Sequence, residues 1–133
     1  MPGALAEESP LTEEAFEQLL DYPSTRLAVY GSLGPGEQNH WVLEDLVGEW
    51  SLGSVRGVLH ARGWGASDGF PGMEWIPTAG EIPLLVFISH DLPRHWGRID
   101  AFEGEDYRRI LIPVDLATGA LVVANIYEVR GES

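Results

Sequence analysis

A short apolar run, Leu27-Ala28-Val29, ends in Tyr30-Gly31-Ser32-Leu33, and about seventy residues later the chain reads Ile99-Asp100-Ala101-Phe102-Glu103-Gly104-Glu105-Asp106-Tyr107-Arg108-Arg109. The first segment has the form of a buried strand leaving into a Gly-Ser turn, whose backbone N–H groups can be aimed at a developing anion. The second sets a glutamate among aromatic neighbours, where its proton affinity can be tuned. Together the two suggest acid–base chemistry at a carbonyl.

A chain of 133 residues with 44% hydrophobic content can bury a substantial core as a single compact unit. It contains no cysteine, which removes both disulfides and thiol chemistry. All 8 basic residues are arginine against 21 Asp plus Glu, for a net charge of -13. Such a surface repels phosphate backbones and anionic lipid, so neither nucleic acid nor membrane is an expected partner. No stretch reaches the length of a membrane span and Met1 to Pro10 lacks the pattern of a signal peptide, so the expected compartment is the cytoplasm. His40, His60, His90 and His95 lack metal-ligand spacing, and no metal or other cofactor is expected.

The pattern along the chain predicts α+β architecture. Ser9-Pro10 has the form of a helix start, and Leu11, Ala15, Phe16, Leu19 and Leu20 form an apolar stripe that should end near Tyr22-Pro23. Arg26 to Tyr30 reads as a strand and Gly31 to Gly36 as a loop. Asn39 is placed to cap a helix running to about Val47, with Leu43, Leu46 and Val47 inward. Glu49 to Leu59 reads as one or two strands broken near Gly53, and Gly63 to Gly80 as a long structured loop. Ile82 to Ser89 is a strand and Leu92 to Phe102 a short helix. Tyr107 to Val114 and Leu121 to Val129 form an antiparallel pair turned at Ala117-Thr118-Gly119. The expected division is an N-terminal extension with one helix over residues 1–25 and a single domain over 26–130.

The two opening segments resemble the signature pair of the gamma-glutamylcyclotransferase-like family. The first continues Gly34-Pro35-Gly36-Glu37-Gln38-Asn39-His40-Trp41-Val42-Leu43, similar to the family's YG(S/T)L, short Gly loop and N-H-x-x-L. The second is similar to its hydrophobic-D-x-F-E-G-x-x-Y-x-R, and Val55-Arg56-Gly57-Val58-Leu59 to its V-x-G-x-L strand. The resemblance covers roughly Arg26 to Tyr127. It implies a small mixed β-barrel with flanking helices. It also implies a small gamma-glutamyl substrate, an amine, amino acid or peptide conjugate, cyclised to 5-oxoproline with release of the amine. Such a reaction requires neither metal nor nucleotide.

Carried over residue by residue, Glu103 matches the catalytic glutamate, and the backbone of Gly31, Ser32 and Leu33 the site for the substrate's carboxylate or oxyanion. Tyr30 is read as a pocket wall. Tyr107 is either a packed aromatic or a substrate contact. Asp100 either caps backbone N–H groups or orients Glu103, and Arg109 bridges an acid in its own barrel wall. The alternative reading of Glu103 is an exposed helix-end acid paired with Arg108 or Arg109. Trp64, Phe70, Met73 and Trp75 either rim a pocket or anchor their own loop, and His60 either lines the pocket or is a satisfied structural histidine. Gly34-Pro35-Gly36 lacks the basic residue many relatives carry after Leu33. Two other classes remain open: a non-catalytic ligand-binding or assembly protein, and a small-amide hydrolase. The sequence leaves the oligomeric state undetermined.

Overall fold

The computed structural model describes residues 12–31, 33–37, 39–60 and 72–129. Six strands follow in order: β1 (Arg26–Val29), β2 (Glu49–His60), β3 (Gly72–Trp75), β4 (Glu81–Ile88), β5 (Tyr107–Leu116) and β6 (Leu121–Val129). Helix α1 (Glu13–Leu19) precedes them, and α2 (Trp96–Glu103) lies between β4 and β5. Strands β2-β4-β1-β6-β5 are neighbours in that order, and β5 returns to β2, closing a five-stranded barrel with β3 as an extra strand on β2. The barrel is mixed, because β1 runs parallel to β6, with Leu27 opposite Asn125, and antiparallel to β4.

Closure depends on Gly53. There β2 meets Leu116 of β5 while still paired with β4, and a Cβ on Gly53 would stand 3.0 Å from the Asp115 carbonyl oxygen. The glycine expected to break the strand instead lets a third strand approach it, so β2 is continuous.

Alternation along β1 separates two cores, since successive strand residues face opposite sides. Ala28 packs inside the barrel with Val55, Met73, Val86, Ile112, Val114 and Ile126. Leu27 and Val29 face outward and are covered by Leu92, Trp96 and Ile99 from the α2 region, together with Leu33, Val42 and Leu43.

Several expectations need correction. The expected helix start at Ser9-Pro10 lies outside the described residues; the described helix α1 is capped by Thr12, its Oγ1 accepting from Ala15 N–H at 3.0 Å, and no residue of this helix is buried. In place of a helix from Asn39 to Val47 there is a single 3₁₀ turn, His40–Val42. The Val42 carbonyl accepts from Arg98 Nη1 at 2.9 Å, and Val47 N–H is taken by Asp91 Oδ2 at 2.9 Å. Long-range partners thus satisfy groups that a helix would use. Leu43 and Leu46 are buried as expected, whereas Val47 is 81% exposed. The long loop contains a strand, β3, paired through Gly57 to His60 of β2.

That pairing is tight. A Cβ at Gly57 would lie 2.5 Å from the Glu74 carbonyl oxygen and 2.9 Å from Met73 Sδ. Gly57→Ala is therefore expected to cost about 1–3 kcal/mol, the usual range for overpacking. Thermal unfolding checks it; an unchanged Tm would mean that β3 yields freely.

Candidate active site

Glu103 occupies the last position of α2, followed by Gly104 at φ 82, which ends the helix and turns the chain toward β5. Ile99, one turn earlier, is fully buried in the outer core and sets the inward face of the helix. Glu103 lies on that face and is itself only 8% exposed. The arginines that could have neutralised it bond elsewhere. Arg108 Nε donates to Glu128 Oε1 at 2.9 Å, and Arg109 Nε donates to Asp100 Oδ1 at 2.9 Å. Among the described residues Glu103 has no ion-pair partner. Burial, assisted by the like charge of Asp100, pushes its carboxyl up to about 7. The reading of Glu103 as an exposed helix-end acid is overturned by these contacts.

Asp100 is the centre of a network. It accepts from Tyr127 OH at 2.6 Å and from the Arg109 fork at 2.9 and 3.3 Å. Arg109 Nη1 also donates to Asn125 Oδ1 at 2.9 Å, and its guanidinium stacks 4.3 Å above the Trp96 ring. Arg109 therefore bridges to an acid on α2, not to one in its own barrel wall as expected. Asn125 passes the connection on, its Nδ2 donating to the Pro23 carbonyl at 2.9 Å.

Tyr30 stands at the end of β1 with its hydroxyl committed to backbone. It donates to the Tyr127 carbonyl at 2.7 Å and accepts from Met73 N–H at 3.0 Å, and burial holds its ionisation far above the ordinary tyrosine range. That suits a wall and not a proton carrier. Glu103, Tyr107 and Glu128 all lie within electrostatic reach of it. Tyr107 is 7% exposed and packs in the outer core. A cleft of about 640 Å³ beside the helix end is lined by Tyr107, Asp100, Arg109 and Tyr127, with Gly104 and Arg108.

The turn after Tyr30 closes through Gly34 N–H donating to Gly31 O at 3.2 Å and Glu37 N–H to Gly34 O at 2.9 Å. Neither bond uses the N–H groups of Gly31 or Leu33. Leu33 anchors the turn in the outer core, and His40 Nδ1 donates to its carbonyl at 2.9 Å. Trp41, next in the chain, meets the Phe102 ring edge-on at 5.5 Å, immediately before Glu103. The 3₁₀ turn thus joins the two signature segments. Ser32, Trp64 and Phe70 lie outside the described residues.

Met73 and Trp75 belong to β3, where their N–H groups hold Tyr30 and, at 2.8 Å, Glu128 Oε2. His60 Nε2 donates to Glu74 Oε1 at 2.8 Å, as a satisfied histidine would. Tyr127, Asn125 and Glu128 are site-forming residues missed in the sequence. Asn125 and Glu128 are 3% and 4% exposed within an otherwise apolar strand, and that interruption was the available signal.

With this geometry in place, comparison with known proteins identifies the scaffold. The family model described as gamma-glutamyl cyclotransferase, AIG2-like, matches residues 27–133. The chain belongs to this family. Among solved structures, YkqA from Bacillus subtilis aligns at 24% identity and TM-score 0.62, over 80% of this chain and 36% of that one. An AIG2-like protein from Mus musculus aligns at 20% identity and TM-score 0.61, over 82% of this chain and 79% of its own. Allophanate hydrolase from Kluyveromyces lactis aligns at 20% identity and TM-score 0.51, over 89% of this chain but 18% of that enzyme. The chain thus spans about a third of YkqA and about four-fifths of the AIG2-like protein. No curated protein sequence matches. None of the described helices is long and apolar enough to cross a membrane.

Proposed function

We propose that this member of the gamma-glutamyl cyclotransferase, AIG2-like family converts a small gamma-glutamyl amine, amino acid or peptide to 5-oxoproline and free amine. The observation that carries the reading is Glu103: a buried carboxyl with no ion-pair partner among the described residues, pushed up by its burial to about 7. A general base with its pKa near working pH combines the right protonation state with a useful driving force.

In this mechanism the Glu103 carboxylate takes a proton from the substrate α-ammonium. The freed amine attacks the γ-carbonyl carbon, forming the C–N bond of the five-membered ring and placing negative charge on the carbonyl oxygen. Backbone N–H groups of Gly31, Ser32 and Leu33 receive that oxygen or the substrate carboxylate. Glu103 then returns its proton to the departing nitrogen as the original C–N bond breaks, and the carboxylate so regenerated takes the second proton from the ring nitrogen and passes it to the released amine, leaving a neutral lactam and an ammonium. Because the reacting groups are tethered, orientation by the pocket can supply ~7–11 kcal/mol of the rate enhancement. Tyr30 and Tyr107 act as walls.

Incubation with a panel of gamma-glutamyl amines, amino acids and peptides tests the proposal. Release of 5-oxoproline from at least one supports it, and release of glutamate instead would support a hydrolase.

Gly31 supplies a separate test. Its φ is not in the left-handed region and a Cβ there would meet nothing within 4 Å among the described residues, so neither its backbone nor its described neighbours demand glycine. The close approach of substrate to the backbone is the remaining reason for it. Gly31→Val should therefore leave Tm within a few degrees of wild type and lower kcat/KM by roughly 10²-fold, the scale of losing one oxyanion donor. Unimpaired turnover in a folded variant would remove the turn from the site.

A further inference from the structure

We infer that Asp100 and Arg109 form an electrostatic control on Glu103, a positioning pair that sets its proton affinity from one helical turn away. The inference rests on the cyclotransferase reading for its catalytic meaning, but its physical content concerns the carboxyl alone.

Asp100 and Glu103 are three residues apart on α2, a spacing that puts both on one face of the helix. Two carboxylates so placed raise each other's proton affinity unless a cation intervenes. Here the cation is directional. The Arg109 fork engages Asp100 by two nitrogens and is itself fixed by Asn125 and by stacking on Trp96, so it cannot swing to Glu103 without losing those contacts. Tyr127 OH adds a third donor to Asp100. Among the described residues the carboxyl one turn later has no ion-pair partner. The network therefore spends its positive charge on one acid of the pair, leaving the other to titrate.

The other ionisable groups around Glu103 do not substitute for this pair. Tyr30 from β1 and Tyr127 from β6 face it as neutral phenols, each with its hydroxyl bonded elsewhere. Glu128 on β6 and Tyr107 on β5 share the surroundings of Tyr30, and Glu128 is joined to Arg108. Glu105 follows two residues later on the turn into β5 and lines the adjacent cleft. Among the described residues Asp100 is the charge that adds to the effect of burial on Glu103, and Arg109 is the cation paired with Asp100.

Opposite shifts follow. Asp100→Asn keeps an acceptor oxygen for Tyr127 and Arg109 while deleting the negative charge, so Glu103 should titrate at lower pH. Arg109→Gln removes the compensating cation, so Glu103 should titrate at higher pH. The measurement is the ¹³C chemical shift of the Glu103 carboxyl against pH in glutamate-labelled protein, assigned by its disappearance in Glu103→Gln. Shifts of about half a unit or more, of opposite sign, are expected. Shifts of the same sign, or none in folded variants, would overturn the inference, because loosened packing has no reason to reverse direction with charge. Should Asp100→Asn not fold, the Arg109→Gln arm decides alone: an upward shift supports the pair, and no shift or a downward one overturns it. The readout needs no turnover. Opposite shifts in a protein that releases no 5-oxoproline would uphold this control and refute the cyclotransferase reading, whereas turnover without shifts would do the reverse.

Discussion

Glu103→Gln is expected to lower kcat by about 10²- to 10⁴-fold, the contribution of a positioned acid–base, with substrate affinity little changed. The amide preserves the shape of the side chain and cannot carry the proton. The same substitution should make the protein more stable at alkaline pH. In the folded chain the carboxyl is pushed up to about 7 from an ordinary value of 4.5. Between those two values the folded state holds a proton that the unfolded state has released, so stability falls as pH rises through this window. Above it the full cost of the buried charge is present, on the order of 3 kcal/mol at 1.36 kcal/mol per unit. Denaturant unfolding should therefore show the variant gaining up to about that amount at pH 8 relative to wild type, and little below pH 4. Wild-type kcat/KM should rise along an acid limb centred near pH 7. A variant retaining more than about a tenth of wild-type turnover would remove Glu103 from the chemistry. A stability difference independent of pH would show that its carboxyl is not buried as a titrating group.

A gamma-glutamyl substrate acetylated on its α-nitrogen should release no amine. Ring closure needs that nitrogen's lone pair, and acetylation delocalises it into an amide. A hydrolase attacking with water would still cleave the compound to an acetylated glutamate, as would an enzyme using a covalent nucleophile. Chromatographic detection of that product would refute cyclotransfer and favour the small-amide hydrolase. Complete resistance, together with 5-oxoproline from the free amine, would establish the intramolecular route. The contrast is large because the tethered nucleophile supplies most of the advantage, and acetylation removes it entirely.

Much of the scaffold was legible because its signals are local. Alternation and turn residues placed β4, β5 and β6, and the turn between the last two does contain a positive-φ glycine, Gly119 at φ 95. The residue types at Tyr30-Gly31-Ser32-Leu33 and around Glu103 are by themselves enough to suggest a carbonyl and a proton carrier.

Other features depended on partners distant in the chain. Asn39 to Val47 has a helical pattern, yet Arg98 and Asp91 take its backbone groups and the segment stops after one 3₁₀ turn. Gly53 looks like a strand breaker until β5 is brought against it. The apolar stripe of α1 remains partly exposed at Phe16 and Leu19, 42% and 69%.

Most of all, the pairing of the arginines was decided by tertiary structure. Arg108 reaches Glu128, twenty residues on, and Arg109 reaches back nine residues to Asp100 and forward sixteen to Asn125. From the sequence, either arginine could equally have met Glu103. Residue identity alone determined that a carboxyl would stand at the end of this helix. Its burial, with no counter-ion among the described residues, raises its proton affinity and arises from what packs around the helix end, because desolvation and charge pairing belong to the surroundings of a group and not to the group itself.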